Sequence, residues 1–321
     1  MSSKKNILLT GGAGFIGSHL AEALARDERV GKVRLLDNLA TGSLRNIERL
    51  IDLPNVEFIQ GDIRDFEVCK RAAEGMDLIC HQAALGSVAR SIQDPLTTSA
   101  VNITGTLNVF VAAKQASIKR IVFATSSSTY GDHPGLPKQE DKIGTPLSPY
   151  AVSKRANELY ASVFAMAYGL QTIGLRYFNV FGPRQDPGGP YAAVIPLFAK
   201  SLLEGKPATI NGDGSHSRDF TYIENAVQAN LLALFTENPE AVNQVYNIAC
   251  GQQMTLLELY NILATSLTTT PIPGAVFGPE REGDVKHSLA DISKAKRLLG
   301  YEVRVGVEEG LKRTIKWMSG G

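Results

Sequence analysis

Asn6-Ile-Leu-Leu-Thr-Gly-Gly-Ala-Gly-Phe-Ile-Gly17 decides the fold of this chain. It opens as an apolar run of strand length ending at Thr10. Glycines follow at Gly11, Gly12, Gly14 and Gly17, and helical periodicity then runs over 15–26. Strand, glycine turn and helix together form a receptor for a pyrophosphate. Gly11 and Gly14 allow the tight turn and a close approach of backbone to phosphate, and Gly17 lets the helix pack on the sheet. The first helical turn, with Phe15 and Ile16, offers unpaired N–H groups to an anion. Asp37 ends the next strand 20 residues after Gly17. A carboxylate there accepts hydrogen bonds from both adenosine ribose hydroxyls and repels an added phosphate, so the expected cofactor is NAD and not NADP. The alternative is a structural loop followed by a surface Asp.

Outward from this stretch, strands and helices alternate. Strands are expected at 33–36, 56–59, 78–80, 120–124 and 172–176, with helices at 66–73 and 95–115 and from Pro149 onward. That order predicts βαβ units, hence a doubly wound α/β fold: a parallel sheet with helices on both faces. Beyond Phe178 the turn-rich loop 182–190 marks a boundary. Helices at 192–203, 224–235, 256–266, 292–299 and 307–318 and short strands at 208–210 and 245–248 predict a smaller mixed α/β domain. The division expected is a dinucleotide-binding domain over 1–178 and a substrate domain over 179–321, with elements around 217–250 free to return to the main sheet.

Composition excludes several classes. The 321 residues suffice for a large core, and 44% hydrophobic with 20% charged residues is ordinary for a globular protein. A net charge of +1 gives no pull toward nucleic acid or an anionic membrane. Cys69, Cys80 and Cys250 are odd in number and lack metal-ligand spacing, so they read as small buried hydrophobes, with no metal expected. No apolar signal region and no apolar run of 18 residues is apparent, and a cytoplasmic location is expected.

The chemistry is carried by Tyr150-Ala-Val-Ser-Lys154. Residues four apart share a helix face, which sets a phenol beside an ammonium. A free tyrosine, with a pKa of about 10, is a poor base at neutral pH, and a nearby cation lowers that value. Ser126 lies 24 residues before Tyr150, after the fifth strand. Asp62-Ile63 follows the third strand and could meet an adenine edge; Asp62 reads equally well as a cap for the helix from Phe66. Ala83-Ala84 supplies small side chains after the fourth strand, where a cofactor could lie against backbone.

Taken together, Thr10–Gly17, Asp37-Asn38, Asp62-Ile63, Ala83-Ala84, Ser126 and Tyr150-x-x-x-Lys154 resemble the extended short-chain dehydrogenase/reductases over nearly the whole chain. Within them the chain is similar to the UDP-hexose 4-epimerases, especially the bacterial UDP-N-acetylglucosamine 4-epimerases. That likeness rests on Ala84-Leu-Gly-Ser-Val-Ala-Arg-Ser-Ile92, Ser126-Ser-Ser-Thr-Tyr-Gly131, Leu175-Arg-Tyr-Phe-Asn-Val-Phe-Gly182, Ile210-Asn-Gly-Asp-Gly214 and Arg281-Glu-Gly-Asp-Val-Lys-His-Ser288. The resemblance implies 4-epimerisation of a UDP-sugar through a 4-keto intermediate, with NAD as a bound prosthetic group. Tyr150 would be the base, Lys154 would bind the nicotinamide ribose and keep Tyr150 acidic, and Ser126 would assist the proton. It extends the cofactor set to Asn38, Thr41, Gly42, Asp62, Ile63, Ala83, Ala84, Asn102 and Tyr177. The substrate set it implies is Gly86, Ser87, Ser127, Ser128, Asn179, Ala193, Val194, Asn211, Arg218, Arg281, Asp284 and Ser288. In it Asn179, Arg218 and Arg281 hold the diphosphate and Asp284 the uridine ribose, while small Gly86, Ala193 and Ser288 leave room for an N-acetyl group.

Thr125-Ser-Ser-Ser128 holds no carboxylate, where dehydratases and decarboxylases of the family carry one; elimination then lacks its general acid. The substrates expected are UDP-GlcNAc and UDP-GalNAc, with UDP-Glc and UDP-Gal accepted more weakly. The 6-carboxylate analogue, served by Arg90 or Lys286, stays open, as does another nucleotide-sugar oxidoreduction. A non-catalytic NAD-binding protein would not need Ser126, Tyr150 and Lys154 intact. The family also implies a homodimer through helices at 97–115 and 149–168, and a role in surface polysaccharide synthesis.

Overall fold

The computed structural model describes residues 4–189, 191–266, 274–279 and 285–320. Strands β1 (Lys5–Thr10), β2 (Val30–Asp37), β3 (Val56–Gln60), β4 (Leu78–His81), β5 (Arg120–Ser126) and β6 (Gln171–Tyr177) form one parallel sheet in the order β6-β5-β4-β1-β2-β3. A seventh strand, Gln244–Ile248, pairs parallel to β6 at the outer edge. The chain thus leaves the sheet after Tyr177 and returns to it some 70 residues later, within the region left free to do so.

Alternation along the strands sorts the helices. Ile7 and Leu9 of β1 pack with Leu20, Leu24, Ala226 and Ala229, from helices Phe15–Ala25 and Ile223–Phe235. Leu8 between them points to the other face, where Cys69, Phe110, Ala113, Ala161 and Phe164 cover it from helices Phe66–Ala73, Thr106–Gln115 and Pro149–Tyr168. A separate apolar cluster joins Phe198, Ile210, Phe220, Leu259 and Leu311, around helices Val194–Leu203, Leu256–Ser266 and Val307–Met318. The three cysteines are buried, and burial pushes each thiol up to about 12.

The helix expected over 95–115 is not uniform. It runs as Pro95–Ser99, a π-helical turn Ala100–Gly105, then Thr106–Gln115. The turn puts Asn102 against Leu85: Asn102 accepts from Leu85 N at 2.8 Å and donates to Leu85 O at 3.0 Å. A stretch within Pro95–Gln115 has a mean hydropathy of 1.2, enough to cross a membrane by length and composition. Its Val109, Phe110, Ala112 and Ala113 are buried against the sheet, so here it serves as a core helix.

Two histidines, His81 buried and His19 partly buried, make stability depend on acid. His81 bonds Thr10 Oγ1 at 2.6 Å and Thr106 Oγ1 at 2.9 Å, and burial, with the Lys154 charge, pushes it down to about 3. His19 bonds Pro183 O at 2.9 Å, and burial pushes it down to about 4. Between pH 6.5 and about 4 the unfolded chain therefore binds protons that the folded chain refuses. Stability present above pH 6.5 is lost as pH falls, by about 1.4 kcal/mol per pH unit for each histidine. Urea denaturation at pH 7, 6 and 5 checks this: His81→Gln should remove about half the slope, and a slope unchanged by that substitution would overturn the assignment.

Candidate active site

The turn after β1 is built as its glycines require. Gly11 has φ +71°, and an added Cβ would lie 2.7 Å from Ala83 N; a Cβ on Gly17 would lie 1.9 Å from Gly11 O. Gly14 caps the helix Phe15–Ala25 without a side-chain hydrogen bond, so the first-turn N–H groups stay available to an anion. Asp37, 8% exposed, accepts from Ala13 N at 2.9 Å and Leu39 N at 2.8 Å, which fixes its carboxylate beside that turn.

A cleft of about 560 Å³ opens over the carboxyl ends of the strands, within the range of small-molecule sites. Gly11, Gly14, Phe15, Ile16, Gly17, Asp37, Asn38, Thr41, Ile63, Ala83 and Ala84 line one end. Gly86, Ser87, Ser126, Ser127, Tyr150, Lys154, Tyr177, Asn179 and Ala193 line the rest. An uncapped helix N-terminus, an adjacent oriented carboxylate and small residues where backbone must be approached fit NAD. Four expected cofactor residues do other work or stand back from the cleft. Gly42 packs on Ala13, where an added Cβ would lie 2.9 Å from the Ala13 carbonyl carbon. Asp62 is braced by Arg64 at 2.7 Å and Asn38 at 2.8 Å, bonds that hold its carboxyl down at about 2. The cap of the helix Phe66–Ala73 is Asp65, not Asp62. Asn102 is fully buried and clamps Leu85 and Ser153. Tyr177 does line the cleft, but its hydroxyl is held by Asn230 at 2.7 Å and Gln82 at 3.1 Å.

Ser148 caps the helix Pro149–Tyr168 and Pro149 occupies its first turn, which sets Tyr150 at the cleft. Lys154 follows on the same face, its Nζ 5.9 Å from the Tyr150 ring centroid. The ammonium is spent elsewhere: it donates to Ala124 O of β5 at 3.0 Å, and burial pushes it down to about 8. Burial raises the Tyr150 phenol above its ordinary value, and a hydrogen bond with Ser126 opposes that rise. One turn beyond Lys154, Glu158 is buried and forms a two-pronged ion pair with Arg176 of β6, at 2.8 Å for both contacts. Thr125 donates to the same carboxylate at 2.8 Å.

A second cavity of about 340 Å³ meets the cleft at Asn179, which lines both. Val194, Asn211 and Arg218 line it. Asn179 donates to Asp219 O at 3.0 Å, and Arg218 donates to Ser217 O and Lys286 O at 3.0 and 3.1 Å. Ser288 pairs its backbone N–H with Ser217 O at 3.0 Å and is not among the residues lining either cavity. Ser128 is likewise not among the residues lining either cavity. Arg281 and Asp284 lie outside the described residues.

Among the cleft residues that the sequence did not mark is Gln185. Gln185 lines the wall, donates to Val180 O at 3.2 Å and leaves a buried Oε1 without a partner among the described residues. It sits in the loop 182–190, where turn-forming residues give no periodicity and nothing local marks a side chain as facing inward.

Residues 7–249 match the model of the NAD dependent epimerase/dehydratase family. A putative UDP-glucose 4-epimerase of Methanocaldococcus jannaschii is 37% identical, over 97% of this chain and 98% of that protein. The solved UDP-N-acetylglucosamine 4-epimerase of Methanobrevibacter ruminantium M1, in complex with UDP-N-acetylmuramic acid, superposes with a TM-score of 0.92 at 40% identity, covering 99% of each chain. The UDP-glucuronic acid 4-epimerase of Bacillus cereus, solved with a UDP-4-deoxy-4-fluoro-glucuronic acid and NAD, gives a TM-score of 0.91 at 32% identity, over 98% of this chain and 99% of that one. With the glycine turn, Asp37 and the Ser126–Tyr150–Lys154 cleft already in place, these matches make the chain a member of the NAD dependent epimerase/dehydratase family.

Proposed function

We propose that this protein is an NAD-dependent UDP-N-acetylglucosamine 4-epimerase that interconverts UDP-GlcNAc and UDP-GalNAc and accepts UDP-Glc and UDP-Gal more weakly. The observation that carries the reading is a pair of cavities that share Asn179: Ser126, Tyr150 and Lys154 line the larger and Arg218 lines the smaller. When bound, NAD supplies reversible hydride acceptance from C4 of the sugar. Tyr150 takes the proton of the 4-hydroxyl and returns it when the other epimer forms, with Ser126 on the same cleft wall to assist. Asn179 and Arg218 keep hold of the UDP while the sugar turns over; the guanidinium suits phosphate oxygens. Gly86 and Ala193 leave space at the sugar for an acetamido group. Thr125-Ser-Ser-Ser128 offers no acid for elimination, which favours epimerisation over dehydration.

The reading also includes a homodimer. Leu159, Val163 and Met166 lie on the outer side of the helix Pro149–Tyr168, and Met166 is 83% exposed. Leu96 is 82% exposed on the neighbouring helix Pro95–Ser99. Two copies of such a face would bury each other's apolar surface.

Incubation of the purified protein with each UDP-sugar and no added cofactor tests the function. Interconversion of UDP-GlcNAc and UDP-GalNAc, faster than that of the unacetylated pair, is expected. Turnover of UDP-glucuronic acid or its N-acetylated analogue alone would replace the substrate assignment, and a strict need for added NAD would point to net oxidoreduction.

A further inference from the structure

Ser126 ends β5 and also caps the short 3₁₀ turn Ser127–Tyr130. Its Oγ accepts the backbone N–H of Ser128 at 3.1 Å, and the Ser128 hydroxyl lies 3.0 Å from the same oxygen. Thr129 Oγ1 donates to the Ser126 carbonyl at 2.8 Å, which holds this turn in register. A serine hydroxyl has one proton to give and two lone pairs to receive. The Ser128 N–H occupies one lone pair. If the Ser128 O–H occupies the other, the only capacity left on Ser126 is its own proton, and Tyr150 lines the same cleft beside it. The opposite polarity, Ser126 donating to Ser128, would leave a Tyr150 phenolate facing a lone pair, since a phenolate can only accept.

We propose that Ser128 is a positioning residue for the reaction: its hydroxyl donates to Ser126 Oγ and so commits the Ser126 proton to the phenol oxygen of Tyr150. The proposal rests on the reading of Tyr150 as the base. Ser128 stands off the cleft wall that Ser126 and Ser127 line, so it acts through Ser126 and not on the sugar. The arrangement makes a chain of three hydroxyls, each donating to the next, in which charge on the last strengthens every bond. The titratable groups around Tyr150 are Lys154 on its own helix, Tyr177 at the end of β6 and His81 at the end of β4, which burial keeps neutral. Glu158 and Arg176 compensate each other one turn beyond Lys154.

The test is the pH dependence of kcat/KM for the holoenzyme, with Ser128→Ala, Ser128→Thr and Tyr150→Phe beside the wild type. Ser128→Ala is expected to move the midpoint of the basic group up by about one pH unit, the equivalent of one lost charge-assisted hydrogen bond. The rate should then fall about tenfold at neutral pH and recover in alkali, where the phenolate forms without help. Ser128→Thr keeps the hydroxyl and should restore the wild-type midpoint. Ser128→Cys, near in size and a weaker donor, gives the same readout if the alanine variant does not fold. An unmoved midpoint, whether or not the rate falls, overturns the proposal, because a packing defect lowers the rate equally at every pH. A Tyr150→Phe enzyme with wild-type activity would instead overturn the parent reading, whatever Ser128 does.

Discussion

Tyr150→Phe is expected to lower kcat for UDP-GlcNAc by about 1,000-fold, the scale of a positioned general base, and to leave NAD bound. The substitution removes one oxygen from a half-buried ring and disturbs no other hydrogen bond described here beyond that with Ser126. Binding of the nucleotide end does not involve it: the glycine turn and Asp37 lie at the other end of the cleft. Retention is measured as nucleotide released on denaturing the purified variant. Turnover within tenfold of the wild type would end the assignment of Tyr150 as base. The size of the loss also reports how the phenol is activated. In the protein alone Tyr150 sits above its ordinary pKa and Lys154 is tied to Ala124. Its basicity at neutral pH is expected to draw on Ser126, on the Lys154 charge and on charge that arrives with the bound ligands.

Glu158→Ala is expected to cost about 3–5 kcal/mol of stability, a third or more of what a domain usually has. Arg176 is 1% exposed, and Glu158 is its carboxylate partner. Without Glu158 the guanidinium keeps only the Glu140 carbonyl, at 2.9 Å, and the Tyr130 ring, 4.8 Å away. A buried cation left without its hydrogen-bonded carboxylate is the costly half of a broken pair. Arg176→Met with Glu158→Leu, which removes both charges, should recover much of the loss. Denaturant midpoints of the single and double variants decide this, and a single variant within 1 kcal/mol of the wild type would refute it.

The parts of the molecule that were legible are those with local signatures. The first strand, glycine turn and helix are written in 12 consecutive residues, and Tyr150 and Lys154 follow from helical spacing. The rest depended on partners distant in sequence. Spacing set Lys154 beside Tyr150 but could not say that the Ala124 carbonyl, 30 residues earlier, would accept a hydrogen bond from it. Asn102 looked like a cofactor contact by position, yet the π-helical turn directs it to Leu85 and Ser153. Ser127 and Ser128 were indistinguishable as neighbours in a polar run, and only the 3₁₀ turn separates a residue at the cleft from one behind it. The strand Gln244–Ile248 has an ordinary apolar pattern, and nothing in that pattern names β6 as its partner.

That late strand has a consequence for the order in which the protein can be made. A ribosome that has synthesised the chain through β6 has delivered every other strand of the sheet, but β6 still shows an unpaired edge. The strand that covers it emerges only after the segment carrying Arg218 and the helix Ile223–Phe235. A nascent chain cut near residue 178 should therefore be aggregation-prone, its bare backbone donors and acceptors open to pairing with another copy. Completion of the sheet must wait until most of the second cavity's wall has been synthesised.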